Sequence, residues 1–407
     1  MTPEVRVCVV TLDNHLAGAL ASAETRLRSE IPGLTIDLHA ASDWGSNPTA
    51  LDACLADIAR ADIVVASMLF VDDHIQMVLP ALRARAERCD AMVCMMSAAE
   101  VVRLTRMGPY RMDGQMAMLR RLPKILAFIP GTAQDVRAYF LTLQYWLAGS
   151  TENMVGMVRY LVDRYADGER RIYRGAVKAA APIEYPEIGV YHPAMAGRMA
   201  EASAALPAPN GANGTVGLIV LRSYVLADDA AHYDGVIRGF EARGIRVVPA
   251  FANGLDARPA MEKLFLKDGR PAVDAIVNLT GFSLVGGPAY NDSASAAETL
   301  ADFDVPYIAA HPVEFQSFQQ WSAGDRGLLP LEATMMVAIP ELDGGAAPTL
   351  FGGRTDGSGE PCTGCRRRCT FPGADARAMV ACPERAEMLA ARVSKMIALA
   401  RAERAER

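Results

Sequence analysis

The sequence lacks most of what would tie it to nucleic acid, to a membrane or to nucleotide hydrolysis. Across 407 residues, Lys and Arg number 41 against 47 Asp and Glu, for a net charge of −6, and no basic tract occurs. Phosphate binding needs clustered cations, so nucleic acid is excluded as the main partner. The longest apolar stretches, such as 63–71 with Ser67 interrupting it, are of strand length and too short to cross a bilayer. The opening Met1-Thr-Pro-Glu-Val-Arg6 has no basic segment followed by an apolar one, so no secretory leader is expected and the expected location is cytoplasmic. No Gly-Lys-Ser/Thr occurs, which excludes a P-loop, and neither His-Glu-x-x-His nor Gly-x-Ser-x-Gly is present. Gly211, Gly214 and Gly217 precede a strand, the reverse of a dinucleotide-binding fingerprint, and read as linker. What remains, 51% hydrophobic and 22% charged residues, is globular, and the length implies two or three domains.

The apolar pattern then sets the fold class. Continuous β-branched runs at 5–12, 34–38, 63–66 and 91–95 alternate with helical spacing at 15–31, 48–61 and 72–88. Strands without polar alternation are covered on both faces, which predicts a doubly wound parallel sheet. Ile125–Ile129 is a candidate fifth strand, and helices are expected over 133–147 and 151–165. Residues 168–213, rich in Pro, Gly and Ala, read as a linker closing an N-terminal α/β domain of residues 1–167. A second alternation fills 214–355: strands near 216–221, 246–250, 275–279 and 306–309, with helices at 228–243, 258–266 and 295–303. Another apolar stretch runs from Thr334 to Ile339. A Cys-rich loop and a C-terminal helix opening at Pro383 occupy 356–407. The expected fold is thus α/β, two Rossmann-like domains plus that terminal segment.

Four of the eight cysteines, Cys8, Cys54, Cys89 and Cys94, lie in apolar segments and read as buried thiols. The others, Cys362, Cys365, Cys369 and Cys382, form a Cys-x2-Cys-x3-Cys-x12-Cys set with Pro383 directly after the last. Structural zinc prefers two knuckle pairs, whereas three thiols within eight residues and a fourth before Pro are nearer to bacterial ferredoxin spacing. A 4Fe–4S cluster is the expectation, zinc the alternative, and a disulfide set the bland reading. Gly281-Phe-Ser-Leu-Val-Gly-Gly-Pro-Ala-Tyr290 follows an expected strand, where open α/β sheets place ligand loops, so Gly286 and Gly287 are candidate binding positions. A crevice between the two α/β domains near them is the expected place for a ligand. His311 sits at an equivalent strand end and is a third candidate; His15, after the first strand, has the same status.

With those residues in hand, the chain resembles the N-terminal part of the large, porphyrin-binding H subunits of magnesium chelatases of the bacteriochlorophyll pathway. The resemblance rests on Tyr110-Arg-Met-Asp-Gly114 through Ile129-Pro130, Gly281 to Ala289, Asp304-Val-Pro-Tyr-Ile308, Phe315-Gln316, Trp321, Ile339-Pro-Glu-Leu-Asp-Gly344 and Phe351-Gly-Gly-Arg354. The last two motifs also mark the related large cobaltochelatase subunits, and the cysteine set resembles that of anoxygenic bacterial members. The resemblance implies insertion of Mg²⁺ into protoporphyrin IX, with ATP hydrolysed by separate I and D subunits, in keeping with the missing P-loop. Family members exceed a thousand residues, so this chain by itself is expected not to metallate porphyrin, and no catalytic residue is assigned. Two other readings stand beside it: a corrin-handling cobaltochelatase subunit, and a non-catalytic two-domain ligand-binding protein whose metal cluster is structural.

Overall fold

The computed structural model describes residues 2–45, 47–112, 132–207, 213–287, 290–345, 348–357 and 378–406. They divide into two compact units: Met1–Glu184 with Leu226–Asp228, and Tyr185–Val225 with Asp229–Arg407.

In the first unit the chain runs β1 (Val5–Thr11), α1 (Ala17–Leu27), β2 (Leu34–Ala40), α2 (Pro48–Arg60), β3 (Ile63–Ser67), α3 (Asp72–Ala86), β4 (Ala91–Met95), α4 (Ala99–Val102), β5 (Arg106–Met107), β6 (Tyr110–Arg111), α5 (Thr132–Leu147) and α6 (Thr151–Tyr165). The sheet order is β2-β1-β3-β4-β5-β6. The first four strands are parallel, and a short antiparallel hairpin forms the edge. Strand alternation splits the core. Val5, Val7 and Val9 pack with α1, α5 and α6 on one face. Cys8 and Val10 pack with α2 and α3 on the other. Start signals seat the helices: the Asn47 side chain accepts from Thr49 N ahead of Pro48, and Ser150 caps α6 through Asn153 N. The candidate strand Ile125–Ile129 lies outside the described residues.

The second unit continues with β7 (Ile188–Tyr191), β8 (Met199–Ala200), β9 (Gly214–Ile219), α7 (Arg222–Leu226), α8 (Ala231–Glu241), β10 (Ile245–Ala252), α9 (Arg258–Leu264), the hairpin β11 (Leu266–Lys267) and β12 (Arg270–Pro271), and β13 (Ala275–Asn278). It goes on through the hairpin β14 (Gly286–Gly287) and β15 (Tyr290–Asn291), α10 (Ser293–Phe303), β16 (Tyr307–Val313), α11 (Phe318–Ala323), α12 (Pro330–Glu332), α13 (Ile339–Leu342), β17 (Thr349–Arg354), β18 (Met379–Ala381) and α14 (Pro383–Glu406). The large sheet has the order β18-β17-β16-β13-β9-β10-β7-β8. Its five central strands are parallel and both margins antiparallel. Helices α8 and α14 cover one face and α9 and α10 the other.

Two expectations change, and one unassigned stretch gains a structure. Residues 168–213 are not linker throughout: Ile188–Tyr191 and Met199–Ala200 are strands of the second sheet, and the unit boundary falls after Glu184. A four-residue run at a sheet margin is outweighed in composition by its Pro, Gly and Ala surroundings. The C-terminal segment is not an appendage: β18 pairs with β17, and α14 supplies Leu389, Val393 and Ile397 to the second core. The apolar stretch from Thr334 to Ile339 is helical, a π-helical turn over Ala333–Ala338 that runs into α13.

Candidate metal centre and ligand loops

Cys382 stands between β18 and α14. Its amide donates to Phe351 O (3.0 Å), and its carbonyl accepts from Arg385 N (3.1 Å) and Ala386 N (2.9 Å), so it is the residue that starts the 24-residue helix. Its fully buried thiol sits with Val313, Phe318, Leu350 and Val380, with Trp321 packed alongside, and donates to Glu384 Oε2 at 3.4 Å. The Arg385 guanidinium lies 4.8 Å over the Trp321 ring. Two glycines on α8 allow this junction to approach: a Cβ on Gly235 would stand 2.2 Å from Ala381 Cβ, and one on Gly239 3.2 Å from Ala386 O.

Cys362, Cys365 and Cys369 lie outside the described residues, and among the described residues no three His, Cys, Asp or Glu side chains converge as a metal site. Cys382 itself fits a thiolate ligand. It is shielded from water by apolar side chains and sits at a helix N-terminus, where negative charge is favoured. Burial raises the Cys54 pKa to about 12 and that of Cys89 to about 11, and pushes Cys8 and Cys94 upward too, leaving four inert small hydrophobes.

The glycines of the candidate ligand loop are occupied by their own chain. A Cβ on Gly286 (φ +115°) would meet Tyr290 O at 2.2 Å, and one on Gly287 would meet Leu255 Cδ1 at 2.1 Å. They let the β14–β15 hairpin close and Leu255 pack. Between this loop and β9, a space of about 20 Å³ lined by Ile219, Asn278, Thr280 and Ser283 has room for one water. His311, in β16 beside Leu350, is buried; its Nδ1 faces Pro312 O at 3.4 Å across a bulge. Burial lowers its pKa to about 4, so it is neutral at pH 7.

Two buried carboxyls escaped the reading of residue patterns. Asp343, in the Ile339–Gly344 motif, accepts from Ser283 Oγ (2.8 Å) and Leu284 N (2.7 Å) and so ties down the 281–285 loop. Burial raises its pKa against those two hydrogen bonds. Glu332, fully buried, accepts from Glu314 N (3.3 Å), Phe315 N (3.0 Å), Gln316 Nε2 (2.6 Å) and Leu329 N (3.0 Å), fixing the turn beyond β16. The only signal was an acidic residue in a motif whose neighbours are apolar. The Ile339–Gly344 motif thus holds the loop after β13, and Glu332, outside the quoted motifs, holds Phe315-Gln316 after β16.

Two α/β units with largely parallel sheets, the second with its strand-end loops clamped by buried carboxyls, define the class, and comparison with known proteins places the chain within it. The profile described as CobN/Magnesium Chelatase matches residues 143–407, and a domain of unknown function, DUF3479, matches residues 6–115 and 111–140. The chain belongs to the CobN/magnesium chelatase family. It is 49% identical over its whole length to the magnesium-chelatase H subunit of Cereibacter sphaeroides, covering 36% of that protein. It is 31% identical over 88% of its length to the chloroplastic magnesium-chelatase protein ChlH of Oryza sativa subsp. indica, covering 28% of that protein. The chain thus spans about a third of the length of the curated relatives it matches. Among solved structures, the catalytic subunit of cobaltochelatase from Mycobacterium tuberculosis shares the fold, with a TM-score of 0.50 at 19% identity, over 95% of this chain and 27% of that one. No helix among the described residues is long and apolar enough to cross a membrane.

Proposed function

We propose that the chain is the N-terminal portion of the porphyrin-binding subunit of a magnesium chelatase. In this reading the complete protein holds protoporphyrin IX while partner I and D subunits hydrolyse ATP, and Mg²⁺, a substrate, enters the macrocycle on the way to bacteriochlorophyll. The observation that carries it is the 49% identity, over the whole of this chain, to the magnesium-chelatase H subunit of Cereibacter sphaeroides. The test is transplantation: residues 1–407 replace the matching third of that relative, and metallation is followed with its partner subunits, Mg²⁺ and ATP. Magnesium-porphyrin fluorescence is expected. Failure to metallate porphyrin, with cobalt inserted into a corrin precursor instead, overturns the assignment in favour of the cobaltochelatase reading.

Cys362, Cys365, Cys369 and Cys382 are proposed to ligate one 4Fe–4S cluster. Support comes from the spacing and from the buried, helix-starting position of Cys382. Because magnesium insertion transfers no electrons, the cluster's task is structural or redox-sensing. Anaerobically prepared protein is expected to be brown, with iron and acid-labile sulfide each near four per chain. Cys382→Ser should bleach it and Cys54→Ser should not; stoichiometric zinc in colourless protein refutes the cluster.

A further inference from the structure

The four parallel strands β1 to β4 of the first unit end along one edge of its sheet, and the loops that leave them are tied into a single preformed face. Ser42 N donates to Leu12 O (2.9 Å) and Asn14 Nδ2 to the Asp43 carboxylate (3.4 Å), joining the loops after β1 and β2. Trp44 stands edge-on to His74 at 5.8 Å, which carries the link to the first turn of α3. Met68 N donates to Met96 O (3.0 Å), Leu69 N to Ser97 Oγ (3.1 Å) and Ala98 N to Leu69 O (2.9 Å), joining the loops after β3 and β4. Met68 and Met96 are held there in left-handed conformations (φ 60° and 48°), a cost that only such fixed surroundings sustain. Adjacent strands lie about 4.8 Å apart, so the edge from β2 to β4 measures roughly 14 Å.

This face combines exposed apolar surface with exposed negative charge. Phe70, Met77 and Met96 are 48%, 43% and 40% exposed. Phe70 and Met96 belong to the two hydrogen-bonded loops, and Met77 lies one helical turn beyond Asp73 on the same face of α3. Asp72 and Asp73 are exposed and form no salt bridge among the described residues. Segments 12–16, 41–45, 68–73 and 96–98 carry Asp13 and Asp43 besides, and neither Lys nor Arg. The α3 dipole favours carboxylates in its first turn, which accounts for Asp72 and Asp73 as parts of the helix. It does not account for three large apolar side chains left in water beside them, and exposed apolar surface rimmed by charge of one sign marks an interaction site. Anions are repelled here, so the complement is cationic and apolar at once. An amphipathic helix with aliphatic anchors on one side and Lys or Arg on the other supplies both, and roughly 14 Å is about ten residues of helix.

We propose that this edge is a docking face for a basic amphipathic segment of a partner protein, with Phe70, Met77 and Met96 receiving its apolar side and Asp72 and Asp73 its Lys or Arg side chains. The inference goes beyond the chelatase reading and does not rest on it. The test titrates the full chain against a fluorescein-labelled helical peptide of about 14 residues, leucines on one face and lysines on the other, followed by fluorescence anisotropy. The same peptide with glutamate in place of lysine is titrated beside it. The lysine peptide should bind saturably at one site per chain, and the glutamate peptide should not bind. Phe70→Ser combined with Met77→Ser, both at exposed positions, should weaken binding about tenfold at an unchanged urea midpoint. Asp72→Asn combined with Asp73→Asn should weaken it severalfold and flatten its dependence on salt. Glu403→Gln combined with Glu406→Gln, which removes exposed charge from α14, should leave binding unchanged. No saturable binding, equal binding of the glutamate peptide, or edge variants that bind as the wild type does overturns the proposal. Self-association of the chain that is abolished by Phe70→Ser with Met77→Ser would assign the face to a second copy and overturn it as well.

Discussion

His232 is the residue with the most unusual surroundings in the second unit. It lies wholly buried on α8, stacked parallel to Phe351 at 6.0 Å and edge-on to Tyr224 at 5.0 Å, and neither ring nitrogen has a partner. A buried polar group left unpaired costs about 1–3 kcal/mol, so an apolar ring of similar shape should be better tolerated than the native one. His232→Phe is therefore expected to stabilise the protein by about 1 kcal/mol, read as a higher urea midpoint at unchanged slope. A lower midpoint would mean that the imidazole hydrogen-bonds to a water or another group. Its charge is part of the same account: burial alone lowers its pKa to about 3, so the ring stays neutral at pH 7.

At the level of elements, much of the fold was legible because burial on both faces writes an unambiguous pattern. Val5–Thr11, Ile63–Ser67 and Ala91–Met95 are apolar without interruption, and only a covered parallel strand suits such runs. The short margin strands β5, β6, β7, β8 and β18 were not, since two to four residues carry no period and their place depends on partners distant in sequence. The site divides in the same way. Cysteine spacing is local and readable, whereas the loops of Phe70 and Met96 become neighbours only through the parallel register of β3 and β4. The glycines of α8 show what such packing requires. Alanine favours a helix over glycine by about 1 kcal/mol, but at position 235 the new Cβ would collide with that of Ala381. Gly235→Ala is expected to destabilise the second unit by about 1–2 kcal/mol and to loosen the β17–β18 pairing, seen as faster amide exchange at Met379–Ala381. At Gly239, where the contact is 3.2 Å, clash and propensity nearly cancel, so Gly239→Ala should be close to neutral. Equal effects at the two positions would show that α14 moves to accommodate either.

For the whole molecule the consequence of these buried imidazoles is acid sensitivity weighted to one unit, since the other carries one such group, His74, whose pKa burial also lowers. His232 and His311 both belong to the second unit, with pKa values lowered by burial to about 3 and about 4 from an ordinary 6.5. When the folded-state pKa is depressed, the unfolded chain binds the proton first, so stability is complete above pH about 6.5 and falls as pH drops towards 4. Each group contributes a slope of about 1.4 kcal/mol per pH unit across that window, and two give about 2.7. Asp343, whose pKa is raised by burial, opposes the trend, because its folded form takes up a proton more readily than the unfolded chain. One carboxyl does not offset two histidines whose shifts span most of the window. Against a domain stability of about 5–15 kcal/mol, the second unit should unfold between about pH 6 and pH 4 while the first persists, giving two separated transitions in an acid titration. His232→Phe should halve the pH slope of the lower-stability transition and leave the other untouched. A single transition with a slope unchanged in that variant would show that carboxylates, and not these histidines, set the acid limit.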